Sequence, residues 1–261
     1  MTAKNFTVEP FPPSRHAIVN AGRIAVRRHM AHALIELDVT TARQFIREHK
    51  AQTGESLSFT AFLIACLARA IDENKHVHAY RNWRNRLVLF DEVDVSTLIE
   101  TEIDRVALPH VIRAANKKTF QEIHREIRTI QASPARSEQK SWLLDAAQYA
   151  PTFVHEVFYW LLHKNPHWLK QTAGTVVVTS VGMFGKGAGW GFGFVPLHTL
   201  GITAGGIAEK PGLVQGRLEI REVLCVTVSL DHDIVDGAPA ARFVQRLKEL
   251  VEGGYGLEND R

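Results

Sequence analysis

Cysteine is nearly missing from this 261-residue sequence: Cys66 and Cys225 are the only two, each inside an apolar stretch. Such usage does not make a disulfide framework and suits a reducing compartment, so the cytoplasm is the expected location. Long apolar runs are lacking as well. The N-terminus has no continuous hydrophobic segment of the signal-peptide kind. The most apolar helical stretch, 153–162, falls far short of the roughly 20 residues that span a bilayer, so no membrane association is expected. Charge of one sign is scarce: 31 Lys and Arg against 28 Asp and Glu leave a formal +3. The basic residues are scattered among acidic ones, which excludes a stripe dense enough for a nucleic-acid backbone. There is no internal repeat and no low-complexity tract. With 45% hydrophobic and 23% charged residues, what remains is an ordinary globular composition, able to bury a core without a metal or a disulfide staple.

Prolines 10, 12 and 13 make 1–16 an expected extended arm that lies on a neighbour, with a single large domain over 17–261. Within that domain 33–39 reads as a strand, 40–50 as a helix offered a cap by Thr40 or Thr41, and 59–73 as a central helix capped by Ser58. Strands and turns fill 86–113, and a one-faced helix follows over 118–132 through Phe120, Ile123, Ile127 and Ile130. Segment 133–172 differs in character. It is helical in pattern, rich in aromatics and histidine and broken by Pro134, Pro151 and Pro166, and so reads as an insertion. Its histidines 155, 163 and 167 come without acidic or cysteine ligands at metal-site spacing, so no metal is expected. Beyond it come a strand over 175–181, a glycine-rich loop over 182–193, strands over 197–207 and 217–232, and a helix over 236–251.

Alternation along the last strand puts Leu218, Ile220, Leu224, Val226, Val228 and Leu230 on one face, and the same parity brings His232 to the rim of the core. A histidine there is either satisfied by a backbone carbonyl or poised as a general base, because its ordinary pKa of roughly 6.5 lies nearest the operating pH. Periodicity leaves both open.

The run Ser229-Leu230-Asp231-His232-Asp233-Ile234-Val235-Asp236-Gly237-Ala238, followed by Ala241-Arg242-Phe243, resembles the signature of the dihydrolipoamide acyltransferases, the catalytic cores of 2-oxo acid dehydrogenase complexes. Gly174-Thr175-Val176-Val177-Val178-Thr179-Ser180-Val181-Gly182-Met183-Phe184-Gly185 is similar to that family's glycine-bracketed strand, and the stretches 35–40 and 58–62 to its early strand and helix. The resemblance covers most of 20–251 apart from 133–172. It implies an α+β fold, a two-layer mixed sheet with packed helices like that of chloramphenicol acetyltransferase.

It also implies chemistry. His232 takes the place of the histidine that accepts the proton of a thiol, needed because a thiol of pKa about 8.5 is mostly protonated near neutrality and the thiolate is the attacking species. Thr179 takes the place of the hydroxyl that steadies the oxyanion, and alternation turns Ser180 to the opposite face. Asp236 takes a structural place, pairing with an arginine and holding the turn that presents the histidine. Arg113, Lys117 and Lys118 stand where cations could meet the phosphates of CoA, the expected co-substrate. Such proteins are homotrimers with the site between subunits, and a lipoyl group would have to come from another protein.

Two departures matter. Asp233 stands where the family has arginine after the histidine, and the tail, 253–261, is polar where complex-forming members end in an apolar anchor. A free trimer is therefore expected. The reading is a CoA-dependent acyltransferase acting on a dihydrolipoamide-like thiol or another small acceptor. The alternatives are an O-acetyltransferase of the chloramphenicol type and a degenerate scaffold that binds CoA or a partner.

Overall fold

The computed structural model describes residues 6–100, 107–133, 152–180 and 187–257. Residues 134–151 of the 133–172 segment, residues 103–106 of the stretch before Arg113, residues 182–186 of the loop expected over 182–193 and the last four residues therefore lie outside the described residues.

Eight strands and seven helices are described: α1 (Pro13–Ala25), β1 (Met30–Asp38), α2 (Thr40–Thr53), α3 (Phe59–Glu73), β2 (Tyr80–Arg81), β3 (Leu87–Val88), β4 (Val95–Glu100), β5 (Ala107–Ile112), α4 (Phe120–Ala132), α5 (Thr152–Lys164), α6 (Pro166–Ala173), β6 (Val176–Ser180), β7 (Leu200–Val214), β8 (Arg217–Asp231) and α7 (Gly237–Glu252). Six strands form one mixed sheet in the order β1-β8-β7-β6-β4-β5, parallel at β7/β6 and β6/β4 and antiparallel elsewhere. It is the α+β mixed sheet with packed helices that the sequence implied.

One sheet face carries the core. Leu37 of β1, Leu224, Val226, Val228 and Leu230 of β8, Leu200 and Ile202 of β7, and Val176 and Val178 of β6 all point toward α3, α4 and α7. Helix α3 is buried on nearly every side, from Ala61 to Ile71, because it is the layer's centre; α4 buries Phe120, Ile123, Ile127 and Ile130 in one stripe. Burying each such Phe, Ile or Leu stabilises the fold by roughly 1.5–3 kcal/mol.

Caps explain where most helices begin. Ser58 Oγ accepts from the Ala61 N–H at 3.2 Å, and Thr119 and Glu122 form a reciprocal capping box on α4. For α2 the expected threonine cap does not occur. The N-cap is Val39 without a side-chain bond, since Thr40 Oγ1 donates instead to Asp38 Oδ1 at 2.6 Å and is already helical. The extended arm is also shorter than expected. Helix α1 begins at Pro13, because proline's missing N–H costs nothing in a first helical turn.

The second sheet face is polar where the first is apolar. Register places Thr227 (β8) beside Thr203 (β7) and Thr203 beside Thr179 (β6), a row of hydroxyls across three strands. Segment 187–195 lies over this face. Trp190 Nε1 donates to the Ile35 carbonyl at 3.1 Å, the Gly193 N–H donates to Thr203 Oγ1 at 3.1 Å, and Phe192 meets His32 edge-on at 5.3 Å. Close approach is possible because β7 has no side chain at Gly205 and Gly206. A Cβ there would stand 2.1 Å from the Gly189 oxygen and 2.0 Å from the Gly187 oxygen, at the irregularity between Ala204 and Ile207.

Candidate active site and its surroundings

Strand β8 stays paired until Asp231 opposite Met30, and its last backbone N–H donates to the Thr199 carbonyl at 2.8 Å. The chain then turns. His232 donates its N–H to the His29 carbonyl at 2.9 Å, and the Asp231 carbonyl accepts from Ile234 and Val235 at 3.0 and 3.1 Å. The Asp231 side chain closes the turn by accepting the Asp233 N–H at 3.1 Å. Backbone bonds on both sides thus fix the place from which the imidazole projects.

That imidazole does not reach the core rim. His232 is exposed, because strand alternation stops one residue earlier and the turn swings it outward. Residues of the opposite parity, Cys225, Thr227, Ser229 and Asp231, are as buried as their neighbours: Ser229 lies under His32 and Phe192, and Asp231 beside Arg28. Asp233 is engaged by another side chain. Its Oδ1 lies 2.9 Å from His29 Nδ1, so the acid that replaces the family's arginine is held by a different histidine.

Asp236 is the N-cap residue of α7, exposed and without a side-chain cap bond, and it pairs with no arginine among the described residues. The aspartate that meets an arginine is Asp231, whose Oδ2 lies 4.0 Å from Arg28 Nε. Arg28 is a buried guanidinium, its side chain 5% exposed. It donates from Nη1 to the His198 carbonyl at 2.7 Å and from Nη2 toward His163 Nδ1 at 3.3 Å, while its Nε finds no hydrogen-bond acceptor. Burial lowers the pKa of Arg28 and raises that of Asp231. Sequence reading passed over Arg28; its signal was the cationic run Arg27-Arg28-His29 directly before a strand.

Both histidines around Arg28 are held neutral. Burial, then the adjacent guanidinium, pushes His163 down to about 4, which fits an Nδ1 that accepts from Arg28. His198 also falls to about 4 through burial, with Nε2 donating to the Ala173 carbonyl at 2.8 Å, and buried His78 falls to about 4 for the same first reason. Each folded pKa lies below the ordinary value of 6.5. The unfolded chain therefore takes up protons first, and the associated stability is present above pH 6.5 and lost as the pH falls toward 4. Chemical denaturation between pH 7.5 and 4.5 is expected to show a loss of about 3 kcal/mol each for the two fully buried imidazoles, His78 and His198. His163, partly solvated, contributes less. A flat profile over that window would mean these rings are not buried neutral.

Thr179 pairs with Thr203 on the polar face; Ser180 pairs with Ala204, whose side chain lies in the core, so the two hydroxyl residues point opposite ways. The Thr179 methyl is packed toward Gly193, where a Cβ would stand 3.1 Å from it. Its hydroxyl makes no hydrogen bond among the described residues. Strand spacing puts Thr179 at least roughly 16 Å from His232 in the same chain, two strands across and more than four residues along.

The three cations expected at CoA have carboxylate partners. Arg113 is poorly placed for a phosphate, because three of its five N–H donors are taken by Asp94 at 3.0 Å and by the carbonyls of Lys170 and Gln171 at 2.6 Å each. It fastens α6 to the end of β5. Lys117 pairs with Glu92 at 2.8 Å and Lys118 with Glu126 at 2.6 Å. Those two are partly exposed ion pairs of the exchangeable sort, and they flank a cavity of about 770 Å³ walled by Phe120 and Tyr255. Cys66 is deep in α3, its thiol pushed well up by burial, which removes it as a nucleophile. No described helix is long and apolar enough to cross a membrane.

A larger cavity of about 840 Å³ opens beside the His232 turn, between α1, α5 and the end of β8, with Asp231, Asp233 and Ile234 in its wall.

The chain matches the 2-oxoacid dehydrogenases acyltransferase family (catalytic domain) over residues 3–141 and 167–257. It belongs to that family. The match leaves out 142–166, most of the segment that the sequence reading set apart, α5 included. The lipoamide acyltransferase component of the branched-chain alpha-keto acid dehydrogenase complex of Bacillus subtilis is 25% identical over 228 residues, 85% of this chain and 46% of the relative. The chain thus spans less than half the length of that relative. Among solved structures, a dihydrolipoamide acetyltransferase of Azotobacter vinelandii, studied for the role of a serine, a histidine and an asparagine in its catalytic mechanism, superposes with a TM-score of 0.72 at 19% identity, covering 98% of this chain and 96% of the other. A chloramphenicol acetyltransferase superposes with a TM-score of 0.53 at 16% identity, over 94% and 98% of the two chains. These two likenesses concern the fold.

Proposed function

We infer that this chain catalyses acyl transfer between CoA and a small thiol or hydroxyl acceptor, with His232 as the general base. The observation that carries the reading is the mounting of His232: an exposed imidazole on a turn pinned by the His29 carbonyl and by Asp231, with Asp233 engaged elsewhere. A base has to be accessible and well placed, and here the ring is exposed on a pinned backbone. The histidine and asparagine studied in the Azotobacter enzyme stand four residues apart, as do His232 and Asp236 here. Asp236 is the N-cap residue of the helix that follows the turn, and no proton transfer is assigned to it.

CoA supplies the acyl group as an activated thioester. Lys117 and Lys118 are the residues that would hold its phosphates, by exchanging Glu92 and Glu126 for them. His232 takes the proton from the acceptor S–H or O–H as the new bond to the acyl carbon forms, then returns it to the departing thiolate. Thr179 donates its free hydroxyl to the carbonyl oxygen as negative charge gathers there. Because Thr179 and His232 lie roughly 16 Å or more apart within one chain, the two meet only across a contact between copies. A homotrimer with shared sites satisfies that requirement, and a lipoyl-bearing acceptor would reach such a site from another protein.

The test is release of free CoA thiol from acetyl-CoA in the presence of dihydrolipoamide, amines and alcohols, with wild type beside His232→Ala. Turnover that ignores the substitution sinks the reading. CoA binding without His232-dependent turnover on any acceptor leaves a scaffold. Thr179→Val, which keeps shape and β-propensity, is expected to lower kcat by about 10²-fold with little change in KM, the signature of a donor used in the transition state.

A further inference from the structure

The cavity beside the His232 turn has a chemistry that a thiol and a thioester do not require. Arg23, Arg27, Arg28, Arg81 and Lys164 all line it. Arg23 is paired with Glu156 at 2.6 Å, but Arg27, Arg81 and Lys164 make no ion pair with any described carboxylate. Arg28 adds an unpartnered Nε on a side chain 95% buried, with Asp231 too far, at 4.0 Å, for a hydrogen bond. A desolvated N–H without an acceptor is costly until something supplies one. The opposite wall is apolar. Phe153, Val157 and Trp160 of α5 line it and are 67%, 54% and 52% exposed, large side chains with little covering them. Helix α5 lies in the stretch that the family match omits, so this wall is built outside the matched residues.

We propose that this cavity is the acceptor site and that it selects an acceptor bearing a carboxylate on an apolar body. The carboxylate meets Arg27, Arg81 and Lys164 at the mouth, with the buried charge of Arg28 behind them, and the body lies on Phe153, Val157 and Trp160. A guanidinium pair and an ammonium give the charge-assisted bonds that a carboxylate favours over a neutral amide. The assignment of the acceptor rests on the acyl-transfer reading above; the carboxylate preference does not.

Lipoate and lipoamide separate the two, since they share ring and chain and differ only in carboxylate against amide. Isothermal titration of the full chain is expected to give lipoate an affinity about tenfold higher than lipoamide, the size of one good charge-assisted contact. The double variant Arg27→Gln/Arg81→Gln removes two exposed, unpaired side chains and should fold normally while erasing that preference. In turnover with the reduced compounds, the KM for dihydrolipoate is expected to lie below that for dihydrolipoamide at similar kcat, and the gap to close in the variant. Equal affinities, a preference that survives the variant, or a variant that weakens CoA instead of lipoate would each overturn the proposal. If neither dithiol is acylated yet lipoate still binds through the arginines, acyl transfer fails and the carboxylate site stands.

Discussion

Replacing His232 by alanine is expected to lower kcat/KM for acyl transfer by about 10³-fold or more while leaving thermal unfolding where it was. The two halves of that result have separate causes. Loss of the base leaves a thiol that must ionise unaided, and near neutrality only a few per cent of such a group is thiolate. The fold is spared because the imidazole is exposed and the bonds that shape the turn are made by the backbone: the N–H of residue 232 to the His29 carbonyl, and those of Ile234 and Val235 to the Asp231 carbonyl. Alanine keeps them all. Thiol-release kinetics and calorimetric melting on the same preparation check both halves. A variant that loses activity and stability together would point to a structural histidine.

Gly206→Ala is expected to destabilise the protein by about 3 kcal/mol or more, a larger cost than most substitutions on a sheet. The new methyl would stand 2.0 Å from the Gly187 oxygen, and a backbone carbonyl has no rotamer to escape into. Segment 187–195 would have to lift off, breaking the 2.8 Å bond from the Gly206 N–H to the Gly189 carbonyl. With it goes the cover over Thr203 and Thr179, so acyl transfer should fall as well. Urea unfolding measures the first effect. Melting equal to wild type would mean that the segment does not rest on β7.

Much of this was legible in the sequence. The order of elements, the central helix α3 and the strand ending at the histidine follow from periodicity and capping, which are local. The glycine-bracketed strand also stood out, and Thr179 faces away from the core as alternation requires. What alternation could not show is that β8 is covered on both faces near its end, because the cover, from His32, Phe192 and Arg28, comes from other parts of the chain. The cavity beside the turn was hidden for the same reason. Arg28 and Asp231 are more than 200 residues apart, and no local pattern pairs them. Arg113 misled in the opposite direction. A cation beside two lysines looks like a phosphate site until its three acceptors are seen to be Asp94 and two carbonyls of α6.

The pairing of β1 with β8 joins Met30 to Asp231 and the His29 carbonyl to the His232 N–H, contacts that bridge most of the chain. Closing so large a loop is entropically slow, and nothing closer in sequence can hold the turn in its stead. The mount of the histidine is thus among the last features to form during synthesis. A nascent chain that has already folded α3 and α4 still has no catalytic turn, and it gains one only when its final strand docks beside its first.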